Sequence, residues 1–169
     1  MGCRDWVIKK FLLLLTRNLS THSLTHSHLT RHCIAVLHGH TALVCQLQLS
    51  PNYSILATGG SDGRVITFSL STFLPVHRLA AHDSSVTALQ FDKRFLVTGG
   101  NDGRVRLFET GSGKYVRELS EEGEIVWKVG YAGGTCAVMG KRAGKTVMEI
   151  WSFRPREEGE RVKVVMSEL

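Results

Sequence analysis

A stretch of nine residues, Ala57-Thr58-Gly59-Gly60-Ser61-Asp62-Gly63-Arg64-Val65, returns forty positions later as Val97-Thr98-Gly99-Gly100-Asn101-Asp102-Gly103-Arg104-Val105, with seven of the nine positions identical. Self-similarity at such a period marks a repeat architecture, in which each unit is one supersecondary element that cannot bury its apolar faces alone. A second pair of markers keeps step. Leu37-His38-Gly39-His40-Thr41 is matched by Leu79-Ala80-Ala81-His82-Asp83, and each marker His stands about twenty residues before its marker Asp.

Within each period, short β-branched and apolar runs alternate with Gly, Asp and Asn, and no useful length keeps a helical period. The natural count is four strands, a to d, per unit. The spacing predicts them at 43–49, 55–58, 65–70 and 76–79 in the first unit, and at 86–91, 95–98, 105–109 and 114–119 in the second. A third unit is predicted at 125–131, 136–139, 147–153 and 162–166, and residues 33–37 read as the outer strand of a preceding unit. Asp-Gly between strands b and c supplies the positive φ of a tight hairpin, so Gly63 and Gly103 are expected to resist replacement. A four-stranded sheet with two apolar faces must stack on its neighbours, which implies blades arranged in a ring.

A His before strand a, a Thr at the end of strand b, an Asp-Gly turn and then an aromatic in strand c resemble the WD40 repeat, over roughly residues 33–153. The resemblance implies an all-β fold, a partial WD40 β-propeller of about three four-stranded blades. It also implies two buried hydrogen-bonded sets: His40, Thr58 and Asp62 in the first blade, and His82, Thr98 and Asp102 in the second. The chemistry agrees, because a carboxylate accepting from an imidazole and backbone N–H groups can be buried without an uncompensated charge. Such a trio resembles a catalytic triad, yet one active site needs no copy on the neighbouring blade, so structure is expected and an enzyme is not. Strand c carries Phe68 and Phe108 where the WD40 family usually has Trp, which removes the indole N–H that would donate to Thr58 or Thr98. In the third unit Glu124 stands near the His position, no Asp occupies the turn at 141–144, and Trp151 fills the Trp place, so this blade is expected to depend on packing.

The segment from Val116 to Phe153 resembles the closing blades of fungal F-box/WD-repeat proteins of the cell-division-control type. It does so through Arg117-Glu118-Leu119-Ser120, Val126-Trp127-Lys128-Val129 and Arg142-Ala143-Gly144-Lys145-Thr146-Val147-Met148-Glu149-Ile150-Trp151-Ser152-Phe153. That resemblance implies the substrate receptor of a cullin-RING (SCF) ubiquitin ligase, whose propeller grips a phosphorylated degron while an upstream F-box holds the ligase. No F-box is read here, nor a closed ring. Propellers have 4–8 blades of about 40 residues, roughly 160–320 in all, against about 120 in these repeats.

The remaining features bound the function class. Net charge is +6, but Lys and Arg are scattered among acidic neighbours and form no one-sided stripe, which argues against nucleic acid. Cys3, Cys33, Cys45 and Cys136 show no C-x-x-C spacing, so neither a zinc site nor a disulfide framework is expected, and a reducing intracellular setting, nucleus or cytoplasm, is. The apolar run 11–15 is too short for a signal peptide or membrane span, and Trp6 breaks the myristoylation pattern begun by Gly2. Residues 1–32 are expected to be a low-complexity lead-in, disordered or non-native, and 154–169 a charged tail. His22, His26, His28 and His32 lack the acidic or thiol company of a metal site, and none is expected. Gly140 and Gly144-Lys145-Thr146 miss the P-loop spacing by one residue and lead into a strand, so no nucleotide cofactor is expected either.

Partner binding is assigned to the start of the inner strands, where Cys45, Thr87 and Trp127 hold matching places, with Arg64 and Arg104 after the turns as lesser candidates. In the resembled receptors that ring carries phosphate-binding arginines. None of the three positions here is Arg. The expected function is therefore protein recognition as part of an SCF substrate receptor; a general WD40 scaffold of another complex and a basic nucleic-acid module are the competing readings.

Overall fold

The computed structural model describes residues 35–52, 54–120 and 123–153, which form three antiparallel sheets. The first blade orders β1 (Val44–Leu49), β2 (Ile55–Gly60), β3 (Arg64–Ser69) and β4 (Pro75–Ala80) side by side. The second repeats this with β5 (Val86–Phe91), β6 (Phe95–Gly100), β7 (Val105–Glu109) and β8 (Tyr115–Glu118). The third holds β9 (Ile125–Ala132), β10 (Thr135–Arg142) and β11 (Lys145–Ser152), with β10 central. No helix among the described residues is long and apolar enough to cross a membrane.

Turn chemistry sets these hairpins. Gly63 (φ 73°) and Gly103 (φ 76°) close the β2–β3 and β6–β7 turns, each amide donating to the carbonyl of Gly60 or Gly100 at 3.2 Å. Blade 3 uses two-residue loops instead. Gly133-Gly134 (φ 59° and 80°) and Ala143-Gly144 (φ 49° and 76°) place both central residues at positive φ, as a type I′ turn requires.

Blades stack through their inner strands: β5 lies against β1 and β2, and β9 against β5 and β6. The joint between blades 1 and 2 buries Ala57 and Val65 against Val86, Leu96 and Phe108. The next joint buries Val97 and Val105 against Val126, Val129, Cys136 and Val138. Each fully buried Val, Leu or Phe contributes about 1.5–3 kcal/mol. The repeated Gly-Gly pair follows from this stacking. A Cβ on Gly59 would stand 2.6 Å from Val86 Cγ1, and one on Gly99 2.5 Å from Val126 Cγ1, so only glycine lets the next inner strand approach.

Three expectations are corrected or left open. Strand b runs two residues further than predicted, through both glycines, because their backbones stay paired with the inner strand. Residues 35–37 are not part of a strand, and Leu37 is buried in the cluster of Leu56, Ile66 and Phe68. The lead-in 1–32 with its four histidines, the tail 154–169 and the fourth strand expected at 162–166 lie outside the described residues. The far face of blade 3 leaves Met148 (63%) and Ile150 (72%) exposed, whereas the matching faces of blades 1 and 2 are covered by their successors.

Candidate protein-binding site

Two polar staples hold the end of the blades where the inner strands begin. His40 Nδ1 lies 3.0 Å from Asp62 Oδ1 and Nε2 2.8 Å from Thr58 Oγ1; in blade 2 the matching distances from His82 to Asp102 and Thr98 are both 2.9 Å. Each carboxylate also accepts from two backbone amides, Thr41 (2.9 Å) and Arg64 (3.2 Å) for Asp62, and Asp83 (3.3 Å) and Arg104 (3.2 Å) for Asp102. This ties the loop before strand a to the b–c turn. Gly60 and Gly100 leave room for it, since a Cβ there would overlap the staple's own carboxylate and imidazole.

Electrostatics follow from burial and these donors. Burial raises the Asp62 carboxyl, but the Thr41 amide, the His40 imidazole and the Arg64 amide outweigh it, so the group stays below its ordinary 3.8. Asp102 behaves likewise: burial raises it, and His82 with the Arg104 and Asp83 amides lowers it further. Burial pulls the His82 imidazole below 6.5 despite the opposing pull of Asp102, because a side chain with no exposed surface disfavours the cation. The Thr58 and Thr98 hydroxyls also lie 3.1 and 3.4 Å from the carbonyls of Ile66 and Arg106 in strand c. Phe68 and Phe108 pack in the core.

Blade 3 solves the same problem with different residues. Glu124, in the His position, accepts from the Gly144 amide at 2.6 Å and pairs with Lys141 at 2.9 Å, so the carboxylate comes from the loop and reaches the turn. These contacts hold Glu124 below its ordinary 4.5, led by the Gly144 hydrogen bond. Sequence reasoning missed this substitute, although its 20-residue spacing equals that of His82 and Asp102 and was the available signal. The Trp151 indole donates to Glu149 at 3.3 Å and not to a hydroxyl of strand b.

The three mouth candidates share one geometry. Cys45, Thr87 and Trp127 are each the extra residue of a β-bulge: pairing jumps from Val44 to Gln46, from Val86 to Ala88 and from Val126 to Lys128. A bulge re-aims its side chain out of the pleat, a device common beside binding sites. Trp127 is 40% exposed, and Cys45 is exposed with Sγ 3.7 Å from both the Leu43 carbonyl and Ser61 Oγ. Thr87 differs, because its hydroxyl is spent on the carbonyls of Gly99 (3.1 Å) and Val126. Arg64 is exposed beside the first b–c turn, while Arg104 lies 3.8 Å from Glu118. No group of His, Cys, Asp and Glu able to hold a metal ion occurs among the described residues.

Comparisons with known proteins fit this geometry. Residues 31–69 and 73–109 match the family described as WD domain, G-beta repeat. The F-box/WD repeat-containing protein sel-10 of Caenorhabditis elegans is 31% identical over 103 residues, which is 57% of this chain and 17% of that protein. Among solved structures, the computationally designed Ika4 protein superposes with a TM-score of 0.66 at 24% identity, covering 73% of this chain and 74% of that one. The designed Ika8 protein gives 0.61 at 25% identity, covering 69% and 35%. Residues 31–69 and 73–109 are thus WD domain repeats, the sheets are built like propeller blades, and the chain resembles the F-box/WD repeat proteins.

Proposed function

We propose that these blades belong to the substrate receptor of an SCF-type ubiquitin ligase working inside the cell, and that they grip an extended, phosphorylated protein segment. The observation that carries this reading is the row of bulged residues opening the inner strands, with Trp127 exposed as an apolar anchor, on blades similar in sequence to an F-box/WD repeat protein. An aromatic side chain on a rigid strand offers large contact area at small entropic cost, which is why such residues dominate recognition energy. None of the three positions is arginine. These blades therefore supply the apolar flank of the grip, and the phosphate is assigned to arginines outside them.

The test is an array of phosphorylated and unphosphorylated peptides probed with the full receptor that carries these blades and with its Trp127→Ala form. Binding that needs both the phosphate and Trp127 supports the reading. Binding indifferent to phosphate but lost with Trp127→Ala selects a general scaffold, the second reading, which the lack of arginine at the bulges favours. Binding untouched by Trp127→Ala removes the site itself.

A further inference from the structure

We propose that Thr87 is a positioning residue for Trp127, a tether across the joint between blades 2 and 3 that fixes the indole in its partner-binding direction. The inference rests on the reading of Trp127 as an anchor. The Thr87 hydroxyl lies between two carbonyls, that of Gly99 in its own blade (3.1 Å) and that of Val126 in the next. Val126 is the residue that leads into the bulge, and its carbonyl belongs to the peptide plane whose amide is Trp127's own. The Val126 side chain is held as well, 3% exposed and pressed on the site where Gly99 lacks a Cβ. Trp127 itself has no opposite residue in the ladder. Its direction therefore depends on the peptide on either side, and Thr87 holds the one before it.

The other joint lacks this device. At the equivalent bulge Cys45 places its sulfur near Leu43 and Ser61, both in its own blade, so the tether is found at the joint that carries the tryptophan. A binding group held by packing on one side and a hydrogen bond on the other loses less freedom when a partner lands, which is what preorganisation contributes to affinity.

The experiment reads Trp127 in the free, full-length chain labelled with 5-fluorotryptophan, with the Trp127 resonance assigned by Trp127→Phe and those of Trp6 and Trp151 as internal standards. Thr87→Val and Thr87→Cys, the latter carrying the residue blade 1 uses, are expected to shift the Trp127 signal and broaden it about two-fold through exchange between directions. Thr87→Ser keeps the hydroxyl and is expected to keep the wild-type signal. Trp151 stays unchanged in all three. A Trp127 line in both Thr87→Val and Thr87→Cys that matches wild type overturns the tether; so does loss of the signal in Thr87→Ser equal to that in Thr87→Cys. Should Thr87→Val fail to fold, seen as collapse of the Trp151 line, Thr87→Cys decides alone. Because no partner is present, failure here leaves the peptide-array result standing, and failure there leaves the tether standing.

Discussion

Replacing Asp102 with alanine separates a staple from a mere surface contact. The carboxylate serves three donors: His82 Nδ1 at 2.9 Å, the Arg104 amide at 3.2 Å and the Asp83 amide at 3.3 Å. His82 has no exposed side-chain surface, so its orphaned N–H cannot turn to water and costs about 1–3 kcal/mol. The two amides sit at the rim of the turn, and their long bonds add about 0.5–1 kcal/mol together. A loss of about 1.5–4 kcal/mol is expected for Asp102→Ala, or roughly 3–16 °C in Tm at about 2–4 °C per kcal/mol for a chain of this size. Asp102→Asn keeps an acceptor oxygen for the imidazole and should lose about half as much. Urea unfolding followed by far-ultraviolet circular dichroism measures both, and a cycle with His82→Ala should show at least ~1 kcal/mol of coupling. An Asp102→Ala protein within about 0.5 kcal/mol of wild type, or a cycle showing no coupling, would refute the staple's energetic role.

Acid should weaken the fold in two stages. The unfolded chain takes up a proton at His82 near its ordinary 6.5 while the buried imidazole resists, so stability starts to fall as pH drops through that value; the Asp62 and Asp102 contributions vanish only as pH passes below 3.8 and protonates the folded carboxylates. Melting temperatures from pH 8 to pH 3 test this, and a curve flat between 7 and 5 would contradict the first stage. Gly103→Ala and Gly144→Ala share a φ of 76°, but a Cβ on Gly103 overlaps the carbonyl of Gly123 whereas Gly144 faces open space. Both pay the left-handed strain of ~1–2 kcal/mol, and Gly103→Ala should lose at least ~1 kcal/mol more in the same unfolding assay. Ala143, at φ 49°, is strained already, so Ala143→Gly is expected to raise stability by about 0.5–1 kcal/mol, and a destabilised variant would rule out relief of strain as the dominant effect.

What the sequence revealed was whatever repeats. The duplicated Thr-Gly-Gly-x-Asp-Gly run carries the strand b end, the inner-strand clearance, the staple and the hairpin turn in one stretch, and two copies in register located strands β5 and β7 to the residue. Elements that break the repeat were harder to read. Glu124 reaches Gly144 with the carboxylate on the opposite side of the pair, so a search for His before Asp passes over it. Thr87 stands among the mouth candidates by its match to Cys45 and Trp127, and the contacts of its hydroxyl with the Gly99 and Val126 carbonyls could not be read there, because a sequence has no marker for which carbonyl a neighbouring blade will offer. Residues 35–37 have strand composition, yet strand pairing needs a neighbouring backbone, which only tertiary structure supplies.

The phenylalanines in strand c of blades 1 and 2 have a spectroscopic consequence. Trp127 and Trp151 both lie in blade 3, so apart from Trp6 the chain's tryptophan emission reports on that blade alone, while blades 1 and 2 melt without an indole to announce it. Stacked units can open one at a time. Emission and ellipticity recorded on the same sample would then part company wherever the third wedge lets go before the other two, and the gap between the two traces would measure how firmly the array holds its end.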